Sequence, residues 1–228
     1  MQPTYMPWLG YLSLVDRADC FVFLDSVQFN KRSWQQRNSI KGRNGTTLMT
    51  VPVVSKGKRY QQIYEVEIDR PRKILDKHAK TIYHNYKKAP YFLAYYQELA
   101  EILRKPNRLL CDLNIQIILW FMKKIGITTS TVRSSALNTS SKKTELLCEV
   151  CNSVDASIYL SAMGSKKYIQ KNNLFKKYNI KLMYNNFQHP RYRQLFGPFT
   201  PYLSTLDLLF NEGPASLEII RSGNIFQF

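Results

Sequence analysis

Residues 1–25, MQPTYMPWLGYLSLVDRADCFVFLD, decide how the chain folds. Two prolines, two tyrosines, a tryptophan and Gly10 crowd the first eleven positions, where a polar terminus would be the ordinary expectation. LGYLSLVDRA follows with helical spacing of its apolar residues, and CFVFLD is a short β-rich run ending on Asp25. A loop, a helix and then a buried strand is the rhythm of an α/β unit. The aromatic loop is then either core filler or the wall of a site.

Downstream, RNSIKGRNGTTLMTVPVV (37–54) holds two β-rich runs around Asn44-Gly45, a strong short-range hairpin signal. YQQIYEVEID (60–69) alternates like one more strand. Helical periods then run from about Pro71 to Gly126 as three successive helices, each closed by Pro or Gly. The second half returns to alternation. TTSTVRSSAL (128–137), SIYLS (157–161) and IKLMYNNF (180–187) read as strands, KKTELLCEVCNSVDA (142–156) and KKYIQKNNLFKKYN (166–179) as helices. A Pro/Gly-rich loop and one or two short helices close the chain. The expectation is one α/β domain over residues 1–228, with a Rossmann-like, mainly parallel sheet, a β-hairpin insert and a central helical segment.

The 228 residues are 44% hydrophobic and 13% aromatic, which fits a folded globular chain. Thirty-three Lys and Arg against sixteen Asp and Glu give +17, a potential that attracts phosphates, nucleotides or nucleic acid. A lysine-rich proteome would raise the charge of any protein in the same way. Four cysteines do not make a disulfide framework, and no secretory leader pattern opens the sequence, so the cytoplasm is the expected compartment. LNIQIILWFMKKIGI (113–127) is broken by Asn114 and Gln116 and is too short to span a bilayer, so no membrane insertion is expected. Cys148 and Cys151 form a CxxC on a helix with no second Cys or His pair near in sequence, and His78 and His84 lack metal-site spacing. No metal is expected, and no cofactor is identified.

Two constellations carry chemistry. LDSVQFNKRSWQQRNSIKG (24–42) begins at the end of a predicted strand, where ligands bind in open α/β sheets. It delivers Asp25, Gln28, Lys31, Trp34, Arg37, Asn38 and Lys41. Arg and Lys suit phosphate, Trp a base or sugar face, and Asn or Gln hydroxyls. A solvated loop with a few anchored side chains is the plainer alternative. The second constellation joins YLSAMGSKKYI (159–169), with Ser161 and Gly164 ahead of a helix, to NNFQHPRYRQLFGPF (185–199). There His189 lies in a loop with Tyr192 and Gln194 and is the better acid–base candidate among the histidines.

These stretches, taken in order with QPTYMPWLGYL and FTPYLSTLDLLFNEG (199–213), resemble the WbqC-like protein family across nearly the whole chain. Gln2, Pro3, Tyr5, Pro7, Gly10 and Tyr11 match its first motif, and Asp25, Gln28, Trp34, Arg37 and Asn38 its second. Ser161, Gly164, Tyr168, His189, Tyr192, Gln194, Ser204 and Asp207 match the later ones. The resemblance implies bacterial surface polysaccharide (O-antigen) biosynthesis and, for some members, glycine transfer to an amino sugar. It carries over no catalytic residue.

A short apolar strand usually precedes the Gln-Pro of such proteins, so a first strand before Met1 is expected to be missing here. The expected function is transfer of a small acyl or aminoacyl group, glycyl among the candidates, onto a nucleotide-linked amino sugar. His189 and Asp25 are the expected catalytic residues. Gln2, Tyr5, Trp8, Tyr11, Gln28, Lys31, Trp34, Arg37, Asn38, Ser161, Gly164, Tyr192 and Gln194 are the expected substrate contacts. The partners would be an anionic sugar nucleotide and an activated acyl donor, an adenylate, a thioester or an aminoacyl-tRNA. A non-catalytic partner of a biosynthetic complex and a basic nucleic-acid-binding protein are the alternatives.

Overall fold

The computed structural model describes residues 1–169 and 173–225. The opening loop leads into α1 (Leu9–Asp16), which is buried along nearly its whole length and feeds β1 (Cys20–Phe23). β2 (Arg37–Gly42) and β3 (Gly45–Thr50) form the antiparallel hairpin expected at Asn44-Gly45, with Gly42 opposite Gly45 and Gly45 at φ +109°. That backbone conformation is one an L side chain rarely adopts, which is why the turn takes glycine.

The helical segment is α2 (Pro71–Tyr86), α3 (Phe92–Arg104) and α4 (Leu110–Ile125), the last closed by Gly126 in the left-handed conformation. α4 places Leu113, Ile117, Phe121 and their neighbours in the main core, which also takes in the opening loop, α1, β1 and the tail. β4 (Ser130–Arg133), α5 (Lys143–Ser153) and β5 (Ile158–Ala162) follow. α6 (Lys166–Ile169), α7 (Leu174–Lys177), β6 (Lys181–Asn185), α8 (Thr205–Glu212) and α9 (Ser216–Ser222) complete the order. A smaller core under α5 and α7 gathers Cys148, Cys151, Ile169, Phe175 and Ile180.

The architecture is mixed α/β with small parallel and antiparallel sheets. β1 pairs with β4 in parallel, β5 pairs with β6 in parallel, and β2–β3 is antiparallel. Among the described residues the parallel strands form two separate pairs, β1–β4 and β5–β6, rather than one continuous sheet. Residues 60–69 depart from the expected strand too. They hold a 3₁₀ turn, Ile63–Glu65, between isolated bridges at Gln62 and Ile68. Its cause is local: Gln62 N–H donates to Glu65 Oε2 at 2.7 Å in a capping box, and Ile63 and Val66, three apart, both point inward. The helix expected over 166–179 is present as α6 and α7, and its middle lies outside the described residues.

Candidate functional site

The opening loop is tied to three distant segments. Tyr5 N–H donates to Trp34 C=O at 3.0 Å, Asn38 Nδ2 to Met6 C=O at 2.7 Å, and Gln35 Nε2 to Gln2 Oε1 at 2.9 Å. From the tail, Thr205 donates to Pro7 C=O through both its N–H and its Oγ1, each at 2.8 Å, and Ser204 bridges Trp8. The tail loop 186–203 thereby lies against the loop that opens the chain.

Trp8 lies nearly parallel to the His189 ring, 6.3 Å away and tilted 17°, with Phe187 and Tyr202 also against the indole at 5.6 Å. A Cβ at Gly10 would come within 2.2 Å of the same indole, so the helix start must be glycine for Trp8 to lie there. Tyr192, Phe199 and Tyr202 complete an aromatic enclosure around His189, with centroids 6.2, 5.7 and 5.3 Å away. Tyr202 is 63% exposed and forms its outer wall.

His189 Nδ1 lies 2.9 Å from Pro190 C=O. A carbonyl only accepts, so Nδ1 carries the proton and Nε2 presents a lone pair. Nε2 is buried and has no partner. Burial also lowers the imidazole pKa, against the smaller opposing effect of the Pro190 carbonyl, which keeps the ring neutral.

Beside the enclosure lies a buried polar network. Asp207, fully buried on α8, accepts from Tyr86 at 2.8 Å and Tyr192 at 3.0 Å. Burial raises its pKa despite these hydroxyl donors and the nearby Lys41. Lys41 Nζ donates to Gln194 Oε1 at 2.9 Å and to Pro198 C=O at 2.5 Å. Gln194 also closes the loop on itself through Thr200 N–H and C=O. Lys41, named in the sequence for its charge, is buried beside Ile40 and Gly42, a departure from strand alternation that only the structure shows.

Trp8, His189, Tyr192 and Gln194 are thus brought together, with Asn38 held on the opening loop. Asp25 lies in a different enclosure. Its carboxylate accepts from Arg133 Nε at 2.7 Å, Ser134 Oγ at 3.0 Å, and Ser135 N–H and Oγ at 2.8 Å. Burial works against its charge, but Arg133 and Ser135 outweigh it and hold the carboxyl below the usual range. Every lone pair has a donor, so Asp25 in this arrangement anchors β1 to the segment after β4. Arg133 ends β4, the strand beside β1, and Ser134 and Ser135 follow it.

Tyr5 and Tyr11 are core residues. Tyr5 donates to His78 Nδ1 at 2.7 Å, and Tyr11 packs against Phe21. Gln28 and Lys31 lie on the surface, and Trp34, 58% exposed, carries Arg37 above its ring at 6.0 Å. Ser161 pairs with Ser165 at 2.6 Å, and Gly164 is exposed on a short 3₁₀ turn. Gln2, Trp34 and Ser161 border a cavity of about 920 Å³ whose lining does not include His189. Among the described residues no cluster of three His, Cys, Asp or Glu could hold a metal ion, and no helix is long and apolar enough to cross a membrane.

The model of the WbqC-like protein family matches residues 2–219. The Uncharacterized protein Rv1507c of Mycobacterium tuberculosis (strain ATCC 25618 / H37Rv) is 33% identical over 223 residues, covering 97% of this chain and 96% of that protein. No solved structure matches the chain.

Proposed function

The chain belongs to the WbqC-like protein family, and from that premise we propose that it is a transferase of bacterial surface polysaccharide (O-antigen) biosynthesis. It moves a small acyl or aminoacyl group, glycyl among the candidates, onto the amine of a nucleotide-linked amino sugar. The observation that carries the reading is the neutral His189, with its proton fixed on Nδ1 and an unpaired lone pair on Nε2.

Attack of a sugar amine on an activated carboxyl forms a C–N bond, expels the donor's leaving group and releases one proton from nitrogen. A neutral imidazole with a free Nε2 is suited to take that proton. Nε2 is closed off by the enclosure, so substrate entry moves Tyr202, whose φ of +61° places it in a strained conformation. The faces of Trp8 and Tyr202 suit a sugar ring, and the +17 charge suits the nucleotide phosphates and an anionic donor.

The test is mass spectrometry of the polysaccharide repeat unit from a deletion strain, complemented with the wild-type chain or with His189→Gln. The deletion should remove one acyl substituent, the wild type should restore it, and His189→Gln should not. A repeat unit unchanged by the deletion would refute the transferase reading, and full restoration by His189→Gln would refute the base. In a purified assay the depressed His189 pKa keeps the base competent at neutral pH, so the acid limb of the rate should fall below about pH 6.5, the ordinary imidazole value.

A further inference from the structure

The outer face of α2 serves neither the core nor the His189 enclosure. Leu75, Ala79, Ile82 and Tyr86 turn the helix's apolar face inward. On the opposite side Lys73, Lys77, Lys80, His84, Lys87 and Lys88 recur every three or four residues, the last two just past the helix end, and all are exposed. At 1.5 Å per residue they make one stripe about 20 Å long. Like charges at this spacing repel and destabilise a helix. The one acid on α2, Asp76, is already paired with Lys80 at 2.8 Å and approached by Arg104 at 3.9 Å. Among the described residues no ion pair involves Lys73, Lys77, Lys87 or Lys88. A lysine-rich composition alone would not single out this helix, since the exposed face of α3, packed beside it, carries Glu98 and Glu101.

The stripe ends next to the reaction centre proposed above. Tyr86, on the inner side of the turn that carries His84, Lys87 and Lys88, accepts from Lys41 N–H at 2.9 Å and donates to Asp207 at 2.8 Å. Asp207 also accepts from Tyr192, whose ring stacks on His189. The hairpin turn lies alongside. A Cβ on Gly42 would come 2.9 Å from Asn85 Oδ1, and the Lys41 ammonium holds Gln194 and Pro198 of the His189 loop. Arg43 in that turn and Arg191 and Arg193 in the loop are exposed, so cations continue from the end of α2 towards His189.

An adenylate or a thioester would engage a few phosphates at one point. A cationic stripe of this length matches a polymer of phosphates. Tyr83, exposed beside the stripe with the Lys87 ammonium 5.7 Å from its ring centre, offers a face on which a base can stack. A bilayer fits less well, because the apolar face of α2 is spent in the core and none is left to enter the acyl layer. We propose that this face of α2 docks the RNA of an aminoacyl-tRNA, whose 3′-terminal ester is the acyl donor. The inference rests on the transfer reading above and names its donor. The sugar amine attacks the ester carbonyl, the C–N bond forms and the ester C–O bond breaks. His189 Nε2 takes the proton from nitrogen and returns it to the departing ribose oxygen, so the step balances with no further co-reactant.

The experiment compares the wild-type chain, Lys73→Ala/Lys77→Ala/Lys88→Ala, and the control Lys176→Ala/Lys177→Ala/Lys181→Ala, which removes the same charge from exposed positions on α7 and β6. Binding of labelled, unfractionated bacterial tRNA is read by fluorescence anisotropy over a series of salt concentrations. The stripe variant should bind about tenfold more weakly or worse and should lower the slope of log affinity against log salt by about 2–3, while the control stays within about threefold of the wild type. With a photoreactive azidoadenosine as the 3′-terminal nucleotide, cross-links should fall within residues 186–203. Equal affinity for the stripe variant and the wild type, an equal loss in the control, or cross-links only elsewhere would overturn the proposal. Stripe-dependent binding to phosphatidylglycerol vesicles without binding to tRNA would overturn it too. The deletion strain separates this from the transfer reading. A lost acyl substituent without stripe-dependent tRNA binding leaves the transfer standing and refutes the donor, whereas a repeat unit unchanged by the deletion refutes both.

Discussion

Lowering the pH should destabilise the fold through His78, which packs in the core against Tyr5. The side chain is 4% exposed, accepts from Tyr5 Oη at Nδ1 and is also bonded to the Thr50 backbone. Burial pushes its pKa from 6.5 down to about 4, with the Lys77 charge adding to the effect and the Thr50 bond opposing it. In the unfolded chain the imidazole returns to about 6.5. Between these values the unfolded state binds the extra proton, so stability is fully present above about pH 6.5 and is lost as pH falls towards 4. A difference of about 2.5 pH units at 1.36 kcal/mol each gives about 3 kcal/mol. For a chain of this length that corresponds to roughly 6–12 °C in melting temperature.

Other groups titrate in the same window. His189 acts in the same direction, whereas the raised Asp207 stabilises at low pH and loses that contribution as pH rises. The assay is therefore a comparison of melting temperature against pH for the wild type and His78→Gln. Glutamine can accept from Tyr5 and donate to Thr50 but cannot titrate. The variant should lose less stability than the wild type between pH 6.5 and 4, by about the 3 kcal/mol above. Parallel curves for the two proteins would refute the assignment.

Asp25→Asn should destabilise by about 1–3 kcal/mol in urea unfolding, because a buried donor loses its acceptor, while Arg133 is 36% exposed and keeps its ion pair with Asp112. Unchanged stability would mean that the network does not anchor β1. Gly10→Ala should cost about 1–3 kcal/mol, since the new methyl meets the Trp8 indole and must displace it. The same variant should perturb Trp8 fluorescence, and an unchanged spectrum would contradict the contact.

The hairpin, the three central helices and the strands of the second half were legible because each is written in local periodicity and turn chemistry. Residues 60–69 were not, since their alternation is offset by a Gln62–Glu65 capping box that only a turn can form. Trp8, His189, Tyr192 and Gln194 were readable as residue types in loops, and the fold supplies their convergence. Asp25 looked like a free acid at a strand end because its partners, Arg133 to Ser135, lie more than a hundred positions away. Asp207 and Tyr86 were hidden in helical periodicity, where one polar residue on an apolar face carries little signal.

The stitching of Pro7 to Thr205 has a consequence for biogenesis. These residues are separated by 198 positions, so the opening loop leaves the ribosome long before its partner exists. At synthesis rates of about 5–20 residues per second the wait is roughly 10–40 s. During that interval Tyr5, Met6, Trp8 and Leu9 lack the surface contributed by α8. Nascent chains halted before residue 205 should thus engage holdase chaperones through their first dozen residues and release them only once the final helices emerge.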